Sequence, residues 1–185
     1  MNDWPHAPVH RLGSAGAYLI TAATYRKAPL FRSKIHLDLL RARLFALAKE
    51  YEAALEAWAI FPNHYHIMVQ PTEASKIRSF VRHLHSITSR EINLLDAAEG
   101  RRVWFQYWDS HITFERSYFA RLHYVHANAV HHGIVRHASE YPWCSAGWFD
   151  KQVKPASRKA ILSFPIDRTS VRDNFRVSPE DFVGI

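Results

Sequence analysis

The chain reads as an α+β protein with a ferredoxin-like split βαβ fold: a four-stranded antiparallel sheet with helices on one face, plus a C-terminal helix. Three observations predict it. Apolar positions alternate between strand and helix periods in the order β-α-β-β-α-β, with another helix after them. The second and third strands are separated only by the turn residues Pro62-Asn63. The chain has 185 residues, 48% hydrophobic and 14% aromatic, enough for one sizeable core. The expected organisation is an irregular arm over 1–16, a domain over 17–149 and an extended or loosely ordered tail over 150–185.

Each element has its own signal. Residues 17–25 (AYLITAATY) have the β-branched and aromatic content of a strand. Ser33 is placed to cap a helix to about Tyr51, with Ile35, Leu39, Leu40, Leu44, Leu47 and Tyr51 at helical spacing. Residues 52–61 and 65–70 form the next two strands. Residues 74–95 read as a helix whose buried stripe is Ile77, Phe80, Val81, Leu84, Ile87, Ile92 and Leu95. Residues 103–112 form a fourth strand. Thr113 or Ser110 is the expected cap of a helix over 115–130, which Gly133 stops. The aromatic-rich segment 134–148 is expected to pack back on the domain.

The net charge is +7 and the pI about 9.7, which suits a polyanionic partner, most simply nucleic acid. Many basic proteins bind none, so charge alone does not decide. Cys144 is the only cysteine, which excludes an intrachain disulfide and a cysteine-based zinc cluster and suits a reducing cytoplasm. No apolar run approaches the roughly 20 residues needed to span a bilayer, so no membrane association is expected.

The strand opening at His64 organises the rest. His64 and His66 are two apart, so they project from one face. Two neighbouring imidazoles can bind one divalent metal ion; the plainer reading is a half-exposed strand face with two polar rings. In the helix over 115–130, Tyr118, Leu122, Val125 and Ala129 make the core stripe. Ser117, Arg121, Tyr124 and Asn128 make a second stripe on roughly the opposite side. Tyr124 there is either an amphipathic surface residue or a ligand-facing one. A phenol is a weak nucleophile at neutral pH, because its unperturbed pKa is near 10. Attack on a phosphodiester therefore needs a Lewis acid. His64, His66 and Asn128 are a candidate set for Mg²⁺ or Mn²⁺, one turn from Tyr124.

The motifs FPNHYHIMV (61–69), YVHANAVHHGIV (124–135) and EYPWCS (140–145) resemble those of the REP-associated tyrosine transposases, bacterial members of the single-tyrosine HUH superfamily. The resemblance spans about residues 15–148. It implies a metal-dependent nuclease that cuts and rejoins single-stranded DNA at hairpin-forming palindromic repeats through a 5′-phosphotyrosine link. It maps the paired histidines to His64 and His66, the attacking tyrosine to Tyr124 and a further metal ligand to Asn128. It also implies a bacterial cytoplasmic, nucleoid-associated protein acting as a monomer rather than a dimer. Two departures are visible: the usual Asn-Pro-Val is Asn128-Ala129-Val130, and Tyr65 is bulkier than the usual aliphatic between the histidines.

Arg78, Arg82, Arg101, Arg102 and Arg121 are the candidate DNA-phosphate contacts. Trp104, Tyr107 and Trp108 read first as core, with base stacking as the alternative. Two other functions remain open at this level. One is a hairpin-DNA-binding protein of the same fold that does not cut. The other is a hydrolytic metallonuclease using the histidine pair.

Overall fold

The computed structural model describes residues 16–166 and 174–184. All of the expected arm except Gly16 lies outside them. The elements are β1 (Ala17–Thr24), α1 (Lys34–Glu50), β2 (Ala53–Ile60), β3 (His64–Pro71), α2 (Lys76–Leu95), β4 (Trp104–Ile112), α3 (Glu115–His131), α4 (Ala146–Gln152) and α5 (Pro155–Leu162). The sheet is antiparallel throughout, in the order β2-β3-β1-β4. That is the ferredoxin-like arrangement read from the sequence.

Strand alternation sorts β3 into two faces. Tyr65, Ile67 and Val69 face α1 and α2: the Tyr65 hydroxyl meets His85 of α2, and Trp58 beside Ile67 packs on Phe45 of α1. His64, His66 and Met68 face the other way, toward α3. The β1–β3 register places Ala23 beside His64 and Thr21 beside His66 on that same face.

Ser33 caps α1 as expected, accepting from the His36 N–H at 3.3 Å. The stripe is shifted from the expected one. Leu37, Leu40, Leu44 and Leu47 are buried, each contributing on the order of 2 kcal/mol. Ile35, by contrast, is exposed in the first turn, before the helix meets the sheet. In α2, Thr88 is buried instead of Leu95, because its hydroxyl donates to Leu84 O and accepts from Trp104 Nε1. Leu95, in the last turn, is exposed.

Helix α3 departs from expectation at its start. Neither Ser110 nor Thr113 caps it: β4 runs on to Ile112, and Phe114 occupies the cap position with no side-chain hydrogen bond. Its end is as read. Gly133 has φ of +69°, its N–H donates to Val130 O, and the Ile134 N–H donates to Ala129 O. This pair of bonds is a glycine-terminated helix stop.

Residues 143–145 seal the outer edge of β2. Ile60 N–H donates to Trp143 O at 3.0 Å, and Ser145 N–H donates to Trp58 O at 2.8 Å. Among the described residues after 150, one further α-helix forms where an extended or loosely ordered tail was expected. Pro155 sets the first turn of α5, since its fixed φ and missing N–H suit a helix start. Residues 174–184 lie back across the domain, with the Val183 N–H donating to Arg32 O at 3.0 Å. Among the described residues no helix is long and apolar enough to cross a membrane.

Candidate active site

His64 and His66 are both fully buried, and their rings meet edge to face with centroids 4.9 Å apart. Each ring is anchored at Nδ1. Asn63 Nδ2 donates to Arg176 O at 2.9 Å, which orients the amide so that Oδ1 lies 2.7 Å from His64 Nδ1. An amide oxygen only accepts, so His64 Nδ1 carries the ring proton and Nε2 keeps its lone pair. His66 Nδ1 lies 2.8 Å from Thr21 Oγ1, and its Nε2 lies 3.2 Å from the Tyr124 hydroxyl. With Tyr124 donating to Nε2, the His66 ring proton is on Nδ1 and donates to Thr21.

The surroundings keep His64 neutral. Burial is the main cause holding its pKa well below the ordinary histidine value, and the neighbouring His66 and His132 push it the same way. Asn128 is its hydrogen-bonding neighbour and acts in the opposite direction. Phe175 stacks on the His64 ring at 4.3 Å, and His132 approaches it edge-on at 5.1 Å.

The second stripe of α3 is not on an open surface. Tyr124 is 6% exposed, Arg121 is 6% exposed and Asn128 is fully buried. The helix lies on the histidine-bearing face of the sheet, so this stripe turns inward toward His64 and His66. The Tyr124 and His66 rings meet edge to face at 5.1 Å. The opposite stripe of α3 is covered too. Tyr118 donates to Glu56 Oε2 at 2.9 Å, and His126 lies 4.3 Å from the Phe149 ring of α4. Burial raises the Glu56 carboxyl above its usual range, with Tyr118 and Gln70 as its donors.

Two imidazoles with Nδ1 tied to an acceptor and Nε2 aimed inward have the donor arrangement of metal-ligating histidines. His64 Nε2 is buried inside the cluster. Neutral imidazoles and an amide are compatible with a divalent ion. Among the described residues no group of three or more His, Cys, Asp or Glu could hold one, so Asn128 is the candidate third donor.

The structure thus brings His64, His66, Tyr124 and Asn128 into one cluster. It does not bring the arginines together there. Arg78 and Arg82 are exposed on α2, across the sheet from the histidines. Arg101 is bound to Asp96 and Asn93. Arg121 is held by Ser117 one turn back. Arg102 lies over the Tyr25 ring at 4.7 Å. Trp104 is buried and stacked on His85, Tyr107 is half-buried, and only Trp108 of those three is well exposed.

Sequence reasoning missed Thr21, Asn63, His132 and Phe175. The first two had a signal available. Thr21 sits in a strand expected to pair nearby, and Asn63 directly precedes the histidine pair. Phe175 has no local signal, because it reaches His64 only through the path of the returning chain.

The sequence pattern of the family described as transposase, IS200-like, matches residues 14–131. The fold is similar to that of a REP-associated tyrosine transposase solved bound to a REP hairpin. The TM-score is 0.61 at 18% identity, covering 77% of this chain and 83% of that one. A candidate transposase from Deinococcus radiodurans is similar at TM-score 0.46 and 17% identity, over 65% of this chain and 90% of that one. No curated protein matches the chain.

Proposed function

The chain belongs to the IS200-like transposase family, and from that premise we propose a metal-dependent single-strand DNA endonuclease and strand transferase acting on hairpin-forming repeats. The carrying observation is the Tyr124 hydroxyl 3.2 Å from His66 Nε2, inside the cluster with His64 and Asn128. Hairpin DNA is proposed because the similar transposase was solved with one. The motif resemblance points to the repeat-associated branch. The reading carries with it a cytoplasmic, nucleoid-associated protein acting as a monomer.

Tyr124 is the nucleophile. Its phenolic oxygen bonds to the phosphorus of the target phosphodiester as the bond from phosphorus to the 3′ oxygen breaks. Overall, the phenol proton is the one the departing 3′ hydroxyl gains. The 5′-phosphotyrosine link conserves the bond energy, and attack by a 3′ hydroxyl reverses the step and rejoins a strand. His64, His66 and Asn128 would hold Mg²⁺ or Mn²⁺. Such an ion supplies Lewis-acid polarisation of the phosphate. Asn63 and Thr21 keep both Nε2 lone pairs in place.

The test uses single-stranded oligonucleotides carrying the repeats that flank the gene, with Mn²⁺ or Mg²⁺, on a denaturing gel. A protein–DNA adduct with wild type, lost in Tyr124→Phe and His64→Ala, is expected. Cleavage without an adduct would mark a hydrolytic metallonuclease instead. Tight hairpin binding with neither would mark a binding-only protein.

A further inference from the structure

Helix α3 covers β2 and β3 but touches β4 only lightly, so among the described residues the histidine-bearing face of the sheet is open on its β4 side. There, beyond β1 from His64, lies a cavity of about 400 Å³ lined by Tyr25, Arg26, Lys27, Phe105, Trp108 and Asn174. Phe105 is 50% exposed and Trp108 38% exposed. Trp108 is in register with Thr21, so it shares the face of His66. Ala23, another wall of the cavity, is in register with His64, one strand spacing of about 4.8 Å away.

The cations are placed around rings. The Arg102 guanidinium lies 4.7 Å from the Tyr25 centroid and 5.7 Å from that of Phe105, and Arg26 lies 5.3 Å from Tyr25. No acidic side chain among the described residues lines the cavity. Arg26 and Lys27 both have left-handed backbones, with φ of +56° and +54°. Two such non-glycine residues in succession are costly, and strain of this kind gathers at ligand clamps. Lys27 links the cavity to the histidines, since it donates to Asn174 and lies 5.1 Å from the Phe175 ring that stacks on His64.

We propose that this cavity is a one-nucleotide subsite for an unpaired base of the DNA strand, stacked on Phe105 and Trp108 with its flanking phosphates on Arg26, Lys27 and Arg102. The proposal rests on the single-strand DNA reading above and adds where the strand sits. The cavity lies at the small end of ligand pockets, roughly 300–1,000 Å³, which suits one nucleotide and not a duplex. Aromatic faces beside cations match a base beside phosphates, and stacking accepts any base.

The probe is a short oligothymidylate carrying one iodouracil, single-stranded or annealed to its complement. Irradiation should cross-link the single strand to the peptide carrying Phe105 and Trp108. The double variant Phe105→Ala/Trp108→Ala should weaken single-strand binding about tenfold or more and leave duplex binding unchanged. Trp108→Phe, which keeps a ring, should hold most of the affinity. Both residues are exposed, so the circular dichroism spectrum and Tm should not move. Unchanged affinity in the double variant, or cross-links only elsewhere, overturns the subsite. If wild type also forms the Tyr124 adduct, that result leaves the transposase reading standing. Ring-dependent single-strand binding in a wild type that forms no adduct keeps the subsite and sinks the transposase reading.

Discussion

Two tyrosine–histidine pairs flank strand β3, one on each face, and they are nearly the same object. On the α3 face the Tyr124 hydroxyl is 3.2 Å from His66 Nε2, with the rings edge to face. On the α2 face the Tyr65 hydroxyl is 2.9 Å from His85 Nε2, again edge to face. Their surroundings differ. His85 is stacked at 4.4 Å on Trp104, and burial alone pulls its pKa down to about 3. Burial likewise pushes the Tyr65 phenol far up. His66 instead has the Thr21 hydroxyl and a second imidazole, His64, around it, and His64 in turn has the Asn128 amide as a neighbour. A buried Tyr–His bond is therefore structural by default, and it becomes a candidate site only where further donors converge on it.

The largest expected contrast comes from removing each hydroxyl. Tyr124→Phe should abolish the DNA adduct while costing no more than about 1 kcal/mol, since it too removes one hydrogen bond. Tyr65→Phe should keep the adduct and cost about 1 kcal/mol in urea unfolding, the usual net value of one hydrogen bond. Loss of the adduct in a stably folded Tyr65→Phe would erase the distinction.

A smaller effect is expected at Asn63. Asn63→Ala frees His64 Nδ1 and lets the ring proton move to the nitrogen needed for metal. Mn²⁺ affinity, followed by the loss of the free-ion electron resonance signal, should fall about 10–100-fold. The equivalent loss on the other face, Tyr65→Phe, should leave Mn²⁺ affinity unchanged.

The structural pair should supply part of the pH response, alongside the buried His64. His85 is neutral in the fold with a pKa near 3, whereas an unfolded histidine titrates near 6.5. Between those values the unfolded chain binds more protons, so stability rises with pH and is complete above about 6.5. It declines as pH falls through that window, by an amount on the order of a few kcal/mol at the acid end. His85→Gln should flatten this part of a denaturation-versus-pH curve. An unchanged slope would show that His85 is not the group responsible.

The smallest effect concerns the helix that carries Tyr124. Burial raises the Cys144 thiol to about 12, and its Sγ lies 3.8 and 3.7 Å from the carbonyls of Val125 and His126 in α3. Native protein should react with a thiol reagent only as fast as it unfolds. Faster reaction would mean that α3 lifts from the sheet by itself.

The order of the elements and the residues of the cluster were legible in the sequence because they follow from local period and spacing. Alternation alone put His64 and His66 on one face and Tyr65 on the other. Helical spacing put Tyr124 and Asn128 together, but it could not show that their stripe is buried, since that depends on which elements cover α3. The start of α3 was misread because Phe114 caps it with no side-chain bond to betray it. The roles of Thr21 and Asn63 needed strand register and an amide orientation. Helix α5 is only eight residues long, and the contact of Phe175 with His64 is far from local.

The bond from Asn63 to Arg176 also sets a clock. It joins residues 113 positions apart, so during synthesis β3 leaves the ribosome well before its partner exists. At about 5–20 residues per second the interval is roughly 6 to 23 seconds. In that interval β3 can pair within the sheet, while the Asn63 amide still lacks the acceptor that orients it. The orientation that fixes the His64 ring proton is therefore completed only when the returning chain has been made.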